Sequence, residues 1–489
     1  MRLLARGPGL SLAAVSAGVF LATLDQTMVV TILPSILRDL RIPVTRLDDA
    51  AWIITGYLLG YTVAMPLFGR IADVRGRRLL YLISLAIFGV GSVLCVLAPD
   101  LRTLVAARVV QAAGGGALVP IAMAVAAYLY PPRRLAFSLG VIGASAEAGG
   151  VLGPLYGAAL AEVLGWRGVF LVNVPLGLLL AWGIWRLVPG HTGEDGAHTR
   201  VDWVGAAILA VSLTGLAVGL AGNTETGSAA VKPVWLVLAA AAFGAFLLHQ
   251  SGRAQALVNL SLFRSAAFSA ANLANFAVGV ALIVGMVEVP LYAYSLLGMN
   301  QIEGGLLLMR MTVMIPVGAL IGGYLADRLG YRPVAAAGFL VTGLGYLLIS
   351  RWPADPGNAV MTRDLLITGF GFGLVIPPIG ATVIRAAGAA GMATGSALVT
   401  VSRMVGMMVG LAALSSWGIR RFNELMADES LPLRAEGMRE AQYQALVAAY
   451  DETVAAALRV VYSEFFLVAA LVAAAGIAAT FWFGRRAAH

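Results

Sequence analysis

Apolar runs recur along nearly the whole chain, and the charged residues cluster in the short gaps between them instead of marking one face of each run. A run of roughly 18 or more apolar residues crosses a hydrocarbon layer about 30 Å thick as a helix, so the pattern predicts an all-α polytopic membrane protein. Fourteen spans are expected, over 10–37, 50–68, 79–98, 101–130, 135–163, 168–187, 202–222, 233–250, 266–297, 302–325, 334–350, 363–386, 392–420 and 456–483. The first is too long for a signal-peptide core and is expected to remain as a span. Basic residues orient membrane proteins by collecting in short cytoplasmic loops. With the N-terminus inside, Arg70, Arg75, Arg77, Arg78, Arg133 and Arg134 lie in such loops. An even number of spans then places both termini in the cytoplasm.

Composition agrees with a bilayer as solvent. Of 489 residues 60% are hydrophobic and 12% charged, and the 58 glycines read as close helix packing rather than as loops. The net charge of +8 comes from arginine with one lysine, Lys232, and is explained by topology without a nucleic-acid partner. Cys95 is the single cysteine, which leaves no disulfide framework and no thiolate metal site. No Gly-x-x-x-x-Gly-Lys-[Ser/Thr] loop occurs, so ATP does not drive this chain by itself. Gly369, Gly371 and Gly373 sit inside an apolar run with no strand before them, which argues against a nucleotide site. A membrane-embedded acyltransferase needs a histidine or cysteine near the interface, and no such set stands out. The expectation is a protein that is not an enzyme and has no cofactor or metal. Transport competes with a sensor or scaffold role, which proton-coupled flux would separate.

An internal repeat organises the spans. Gly69 to Arg78 and Gly323 to Arg332 share Gly-x-[Ile/Leu]-Ala-Asp-x-x-Gly-x-Arg, each in a tight cytoplasmic turn. Two six-helix bundles follow, over 1–190 and 265–489. Residues 191–264 hold a polar linker with His191, Glu194 and His198 and then two inserted helices. The stretch 421–455 is a long periplasmic segment, helix-compatible from about Arg434 into the last span.

A charge near mid-bilayer costs several kcal/mol unless paired or hydrated, so ionisable residues inside spans are functional candidates. At about 1.5 Å per residue, Asp25, Glu147 and Arg403 lie roughly 22, 18 and 16 Å from the cytoplasmic ends of their spans. Glu147 and Arg403 follow the aspartates of the two repeats, Asp73 and Asp327, at nearly equal spacing, so they are expected to face each other across the bundle interface. Helix motion that opens and closes a carboxylate–arginine pair converts position into proton affinity. Asp25 and Glu147 are therefore expected to carry protons, with Arg403 as the alternating partner; a static ion pair fixing helix register is the other reading. Glu288 and Arg310 lie roughly 13 and 12 Å from the periplasmic ends of consecutive spans and are expected to pair, as a clamp or in the outer cavity.

The motifs resemble the major facilitator superfamily, in its fourteen-helix drug:proton antiporter branch. The turn 69–78 resembles the signature loop between helices 2 and 3, with Val74 where arginine is usual. The resemblance implies an inner gate of Gly69, Asp73, Arg75, Gly76, Arg77 and Arg78, with Asp327 and Arg328 in the repeat. Arg108, Gln111 and Gly115 resemble the helix 4 motif, and Gly149, Gly153, Pro154 and Gly157 the helix 5 antiporter motif, read here as packing and a bend. Leu24, Asp25, Thr27 and Pro34 resemble the span 1 motif, and Trp166, Arg167, Asn173 and Pro175 the helix 6 signature. Within the branch, Tyr57 to Tyr61, Gly153 to Gly157 and Arg403 to Gly418 are similar to mycobacterial exporters of triacylglycerides and drugs that work with a periplasmic lipoprotein; the loop 351–363 is short for that subgroup. The resemblance implies a monomeric, proton-coupled exporter in the bacterial inner membrane, moving lipid or, alternatively, drugs, with a lipoprotein as partner.

Overall fold

The computed structural model describes residues 7–41, 47–190, 202–220, 233–251, 253, 256–388, 391–427, 429, 432–433 and 438–483. Fourteen α-helices follow one another with no strand among the described residues: α1 (Pro8–Asp39), α2 (Leu47–Arg75), α3 (Arg77–Leu97), α4 (Leu101–Leu129), α5 (Leu135–Leu187), α6 (Trp203–Leu220), α7 (Pro233–Gln250), α8 (Ala266–Leu297), α9 (Gln301–Thr312), α10 (Met314–Leu329), α11 (Tyr331–Ile349), α12 (Asn358–Ala387), α13 (Met392–Leu425) and α14 (Glu440–Thr480). Among the described residues twelve helices are long and apolar enough to cross a membrane, and Trp203–Leu216 is a shorter apolar helix. The count differs from the expected fourteen for two reasons. Spans 5 and 6 run together as the 53-residue α5, which turns at Gly165 (φ 69°), a left-handed conformation that suits glycine. In span 7 the apolar stretch that counts is Trp203–Leu216, within α6. In addition, span 10 is divided into α9 and α10 at Val313. His191, Glu194 and His198 lie outside the described residues.

Helices α1 to α5 pack together, α1 chiefly on α5 and α4 on α2 and α3, while α8 to α14 form a second group built around α12, α8 and α14. The two groups meet where α5 packs on α10 and α12, and where α13 packs on α2 and α4. The inserted pair, α6 and α7, packs on itself and touches the groups through α6 against α2 and α13.

Small residues bring the helices together, as expected where lipid tails supply no hydrophobic drive between them. Gly149, Gly153 and Gly157 recur every four residues and so share one face of α5. A methyl at Gly153 would sit 2.7 Å from the Leu24 carbonyl oxygen, and one at Gly157 2.8 Å from that of Met28. The Pro154 carbonyl accepts from the Thr31 hydroxyl at 3.0 Å. This motif is thus a seam laid against α1 around Asp25. At about 1.5 Å per residue, α13 and α14 are roughly 50 and 60 Å long, well beyond a hydrocarbon core.

Candidate functional site

The two repeated turns make matching contacts. Gly76 and Gly330 break the chain between helices with φ of 98° and 99°, a geometry only glycine takes without strain. One turn earlier, the Asp73 carboxylate accepts the backbone N–H groups of Ala393 (3.1 Å) and Thr394 (2.9 Å) and the Thr394 hydroxyl (2.9 Å). These groups open α13, so Asp73 supplies negative charge to the helix N-terminus of the opposite bundle. Asp327 does the same in reverse, accepting from Ala136 (3.0 Å) and Phe137 (2.8 Å) at the start of α5. Arg77 is buried 3.7 Å from Asp73 and faces the Tyr128 ring, while Arg328 stacks on Tyr324. Arg75 is exposed, and Arg78 reaches towards Gly190. A methyl at Gly69 would stand 2.9 Å from the Ala393 carbonyl, and one at Gly323 2.6 Å from that of Ala136. The bundles are therefore latched at this arginine-rich end by two pseudo-symmetric clasps.

Deeper between the bundles, Arg403 donates to Glu147 at 3.1 Å. The two do face each other across the interface. They line a cavity of about 50 Å³ with Asn275, Thr400 and apolar side chains from both bundles. Their side chains keep 16% and 20% exposure, and the Arg403 Nε has no hydrogen-bond partner.

Asp25 has a different environment from the one its depth suggested. It pairs with Arg108, not with Arg403, at 2.7 Å, and both side chains are fully enclosed. Its carboxylate also accepts from Gln111 (2.9 Å) and Asn173 (2.6 Å), while Gln111 accepts from Arg108 (2.6 Å) and donates to Ser92 (2.8 Å). The Arg108 guanidinium lies 4.0 Å from the Tyr57 ring centre and 5.5 Å from that of Phe170, which accommodates the N–H groups that lack oxygen partners. The helix 4 and helix 6 motifs thus converge on the span 1 motif within one bundle.

Tyr57 and Tyr61 belong to the site as well, without a charge that would single them out in the sequence. Their rings stack at 5.9 Å. Tyr57 covers Arg108, and Tyr61 lies in the electrostatic range of Arg403 and Glu147, so an aromatic pair on α2 separates the two ion pairs. Ala397, Val401 and Met404 of α13 pack on it from the other bundle.

Glu288 and Arg310 do not pair. Arg310 donates to the side chains of Thr362 (2.7 Å) and Asn358 on α12. The cause is azimuth: Met311 and Gly304 take the side of α9 that packs against Gly285 and Pro290 of α8, and one residue turns a helix by about 100°. Glu288 is left buried, with no hydrogen bond or ion pair among the described residues. No metal-binding cluster occurs among the described residues.

The sequence profile of the Major Facilitator Superfamily matches residues 15–411. A triacylglyceride transporter of Mycobacteroides abscessus is 40% identical over 467 residues, covering 91% of either chain. One from Mycobacterium tuberculosis is 38% identical over 489 residues, covering 96% of this chain and 93% of that one. Among solved structures, the human organic anion transporter MFSD10 superposes with a TM-score of 0.62 at 15% identity, over 96% of this chain and 99% of that one. The Escherichia coli fucose:proton symporter superposes with a TM-score of 0.59 at 15% identity, over the same shares.

Proposed function

Because the chain belongs to the Major Facilitator Superfamily, and is a multi-pass membrane transporter and not an enzyme, we propose that it is a proton-coupled exporter of lipophilic cargo, with triacylglyceride-like lipid as substrate. The chain crosses the bacterial inner membrane fourteen times, since α5 supplies two crossings and α6 one more beyond the helices long enough on their own. Residues 1–190 and 265–489 are the bundles and 191–264 the inserted unit. Both termini and the latched end are cytoplasmic, in accord with Arg70, Arg75, Arg77 and Arg78 at that end.

The observation that carries the mechanism is the Glu147–Arg403 contact, the charged pair that spans both bundles inside the protein. Rocking of the bundles separates it. A carboxylate that loses its arginine in a poorly hydrated site takes up a proton, and one that regains it lets the proton go. Closure of the Asp73 and Asp327 clasps on the cytoplasmic side goes with the formed pair, so cargo leaves outward while protons enter. Asp25, enclosed with Arg108, is the second proton-coupling carboxylate, and Tyr57 and Tyr61 carry its charge state towards the interface.

The lipid reading draws on relatives named triacylglyceride transporters. It also draws on the lengths of α13 and α14, whose periplasmic ends offer an apolar cargo a platform above the bilayer and a dock for a lipoprotein. The protein acts as a monomer.

The test is flux in liposomes. Purified protein under an inward proton gradient should move labelled triacylglyceride, with proton entry, and Glu147→Gln should abolish coupled movement at equal protein level. Movement of a cationic dye instead of lipid would assign the chain to multidrug:proton antiport. Unimpaired coupled export by both Glu147→Gln and Asp25→Asn would remove the proton assignment.

A further inference from the structure

The inserted pair leaves a crevice. Between α6 and α7 on one side and α2, α8 and α13 on the other lies a cavity of about 760 Å³, lined by Leu213, Phe243, Phe246, Phe276, Leu398 and Val401 among others, nearly all apolar. Towards the latched end a second cavity of about 690 Å³ adjoins it at Leu260, lined by Arg70, Arg253, Arg264, Gln250, Asn259 and Thr394 among others. The strap 256–264 joins them. Leu260 lines both, Leu257 and Leu262 turn to the polar cavity, and Val258 and Phe263 turn to the apolar one. Gln250 is buried at 2% exposure and holds the strap by accepting the Val258 N–H at 3.2 Å.

The charges here are unbalanced. Among the described residues three arginines line the polar cavity and no carboxylate does. Among the described residues Arg70 and Arg264 have no hydrogen-bond or ion-pair partner, and Arg253 meets the His249 ring at 3.3 Å. Two acids that bond to residues of its lining are already engaged. Asp202 is held by the Gly205 N–H (2.8 Å), Gln250 (2.8 Å) and His249 (3.0 Å), and Asp73 by the clasp. Positive-inside topology accounts for arginines at this end, but not for three of them around one cavity that adjoins an apolar one.

We infer that this crevice binds one anionic phospholipid of the cytoplasmic leaflet, with the phosphate among Arg70, Arg253 and Arg264 and the acyl chains between the inserted pair and α2 and α13. Each cavity is within the range that encloses small ligands, and the polarity profile matches head and tail in order. A free phosphate would satisfy the arginines and leave the apolar half unused. A zwitterionic lipid would fill the apolar half and bring a cation to a site that already has three. The lipid touches α2 one turn before Asp73 and α13 at Thr394, so it spans the clasp and favours the closed cytoplasmic gate. Only the leaflet and the name of the gate rest on the transport reading; binding itself is independent of cargo and of protons.

The experiment is native mass spectrometry of the full chain released from nanodiscs of mixed phosphatidylglycerol and phosphatidylethanolamine. The expected result is one retained phosphatidylglycerol per protein, preferred over phosphatidylethanolamine. Retention should fall about fivefold for each arginine removed in Arg70→Ala, Arg253→Ala and Arg264→Ala, from about 1 kcal/mol per basic contact. Filling the apolar half with Leu213→Trp should weaken the lipid and leave inorganic phosphate binding unchanged. Equal retention of the two lipids by the wild-type protein overturns the inference, and that arm needs no variant to fold. Binding of inorganic phosphate as tight as that of phosphatidylglycerol, or full retention in a folded triple variant, overturns it too. A protein that passes here and fails in transport liposomes refutes the transport reading alone.

Discussion

Two acid–arginine pairs, one fully enclosed and one lining a cavity, lie on either side of the Tyr57–Tyr61 stack and differ in almost everything but composition. Asp25 and Arg108 belong to one bundle, are fully enclosed, and sit in a mesh with Gln111, Asn173 and Ser92. Glu147 and Arg403 come from different bundles, share one hydrogen bond and face a cavity. Rigid-body rocking leaves the first pair whole and must break the second. A pair within a body is suited to holding that body's shape and charge; a pair between bodies is suited to reporting which way they face.

The sharpest way to break this comparison is to remove Arg108. Truncating one partner of an enclosed pair strands the other charge, at a cost of about 3–5 kcal/mol. Arg108→Ala should lower the thermal midpoint in detergent substantially, and Arg108→Leu combined with Asp25→Leu should recover part of the loss, because no unpaired ion then remains. A single variant as stable as the wild-type protein would mean that Asp25 is already neutral or hydrated, and the contrast between the two pairs would collapse.

Glu147→Gln should cost less stability, because the pair is not fully enclosed and shares a single hydrogen bond beside a cavity. Its effect should appear as a shift between states. In a background with Cys95 replaced by serine, a cysteine at Ala146, beside Glu147 in the cavity lining, should react about fivefold faster with an impermeant maleimide applied from the latched side, the ratio that about 1 kcal/mol of coupling gives. An unchanged rate would show that the clasps alone hold the bundles, leaving Glu147–Arg403 as a passive register pair.

What the sequence made legible here was depth, and what it hid was rotation. Glu147 and Arg403 could be matched because a repeat fixes both height and face: each follows its repeat aspartate at nearly the same spacing, so pseudo-symmetry carries the azimuth with it. The same symmetry exposes the clasps, since Gly76 and Gly330 share one backbone geometry and Asp73 and Asp327 one role. Glu288 and Arg310 had matching heights but no symmetry to fix their faces, and Met311 takes the side that Arg310 needed. Asp25 is an intermediate case. Its partners Arg108, Gln111 and Asn173 all stood out in motifs, yet which helices adjoin α1 is a matter of packing, decided by the glycine seam on α5. The merged α5 and the crevice beside α6 and α7 were invisible, because run length says nothing of how a helix turns or what it leaves uncovered.

A third pair extends the comparison to the surface and should give the smallest effect. Asp39, at the end of α1, accepts from Arg167 and from the Trp166 indole (3.1 Å), just past the turn at Gly165, with both charged side chains well exposed. The arginine and indole hydrogen bonds hold the Asp39 carboxyl below its usual range near 3.8. A carboxyl depressed in the folded state favours folding at pH above its unfolded value, and that contribution fades as pH falls through the folded one. Asp39→Asn should therefore differ slightly in thermal midpoint from the wild-type protein at pH 7, and the difference should close below pH about 4 as the usual carboxyl range is passed. Salt should shrink it as well, since exposed pairs are screened. The enclosed Asp25–Arg108 pair, out of reach of dissolved ions, should show no such screening. A salt-insensitive Asp39 effect as large as that of Arg108→Ala would mean that exposure does not grade these pairs, and that the turn at Gly165 depends on this contact for its geometry.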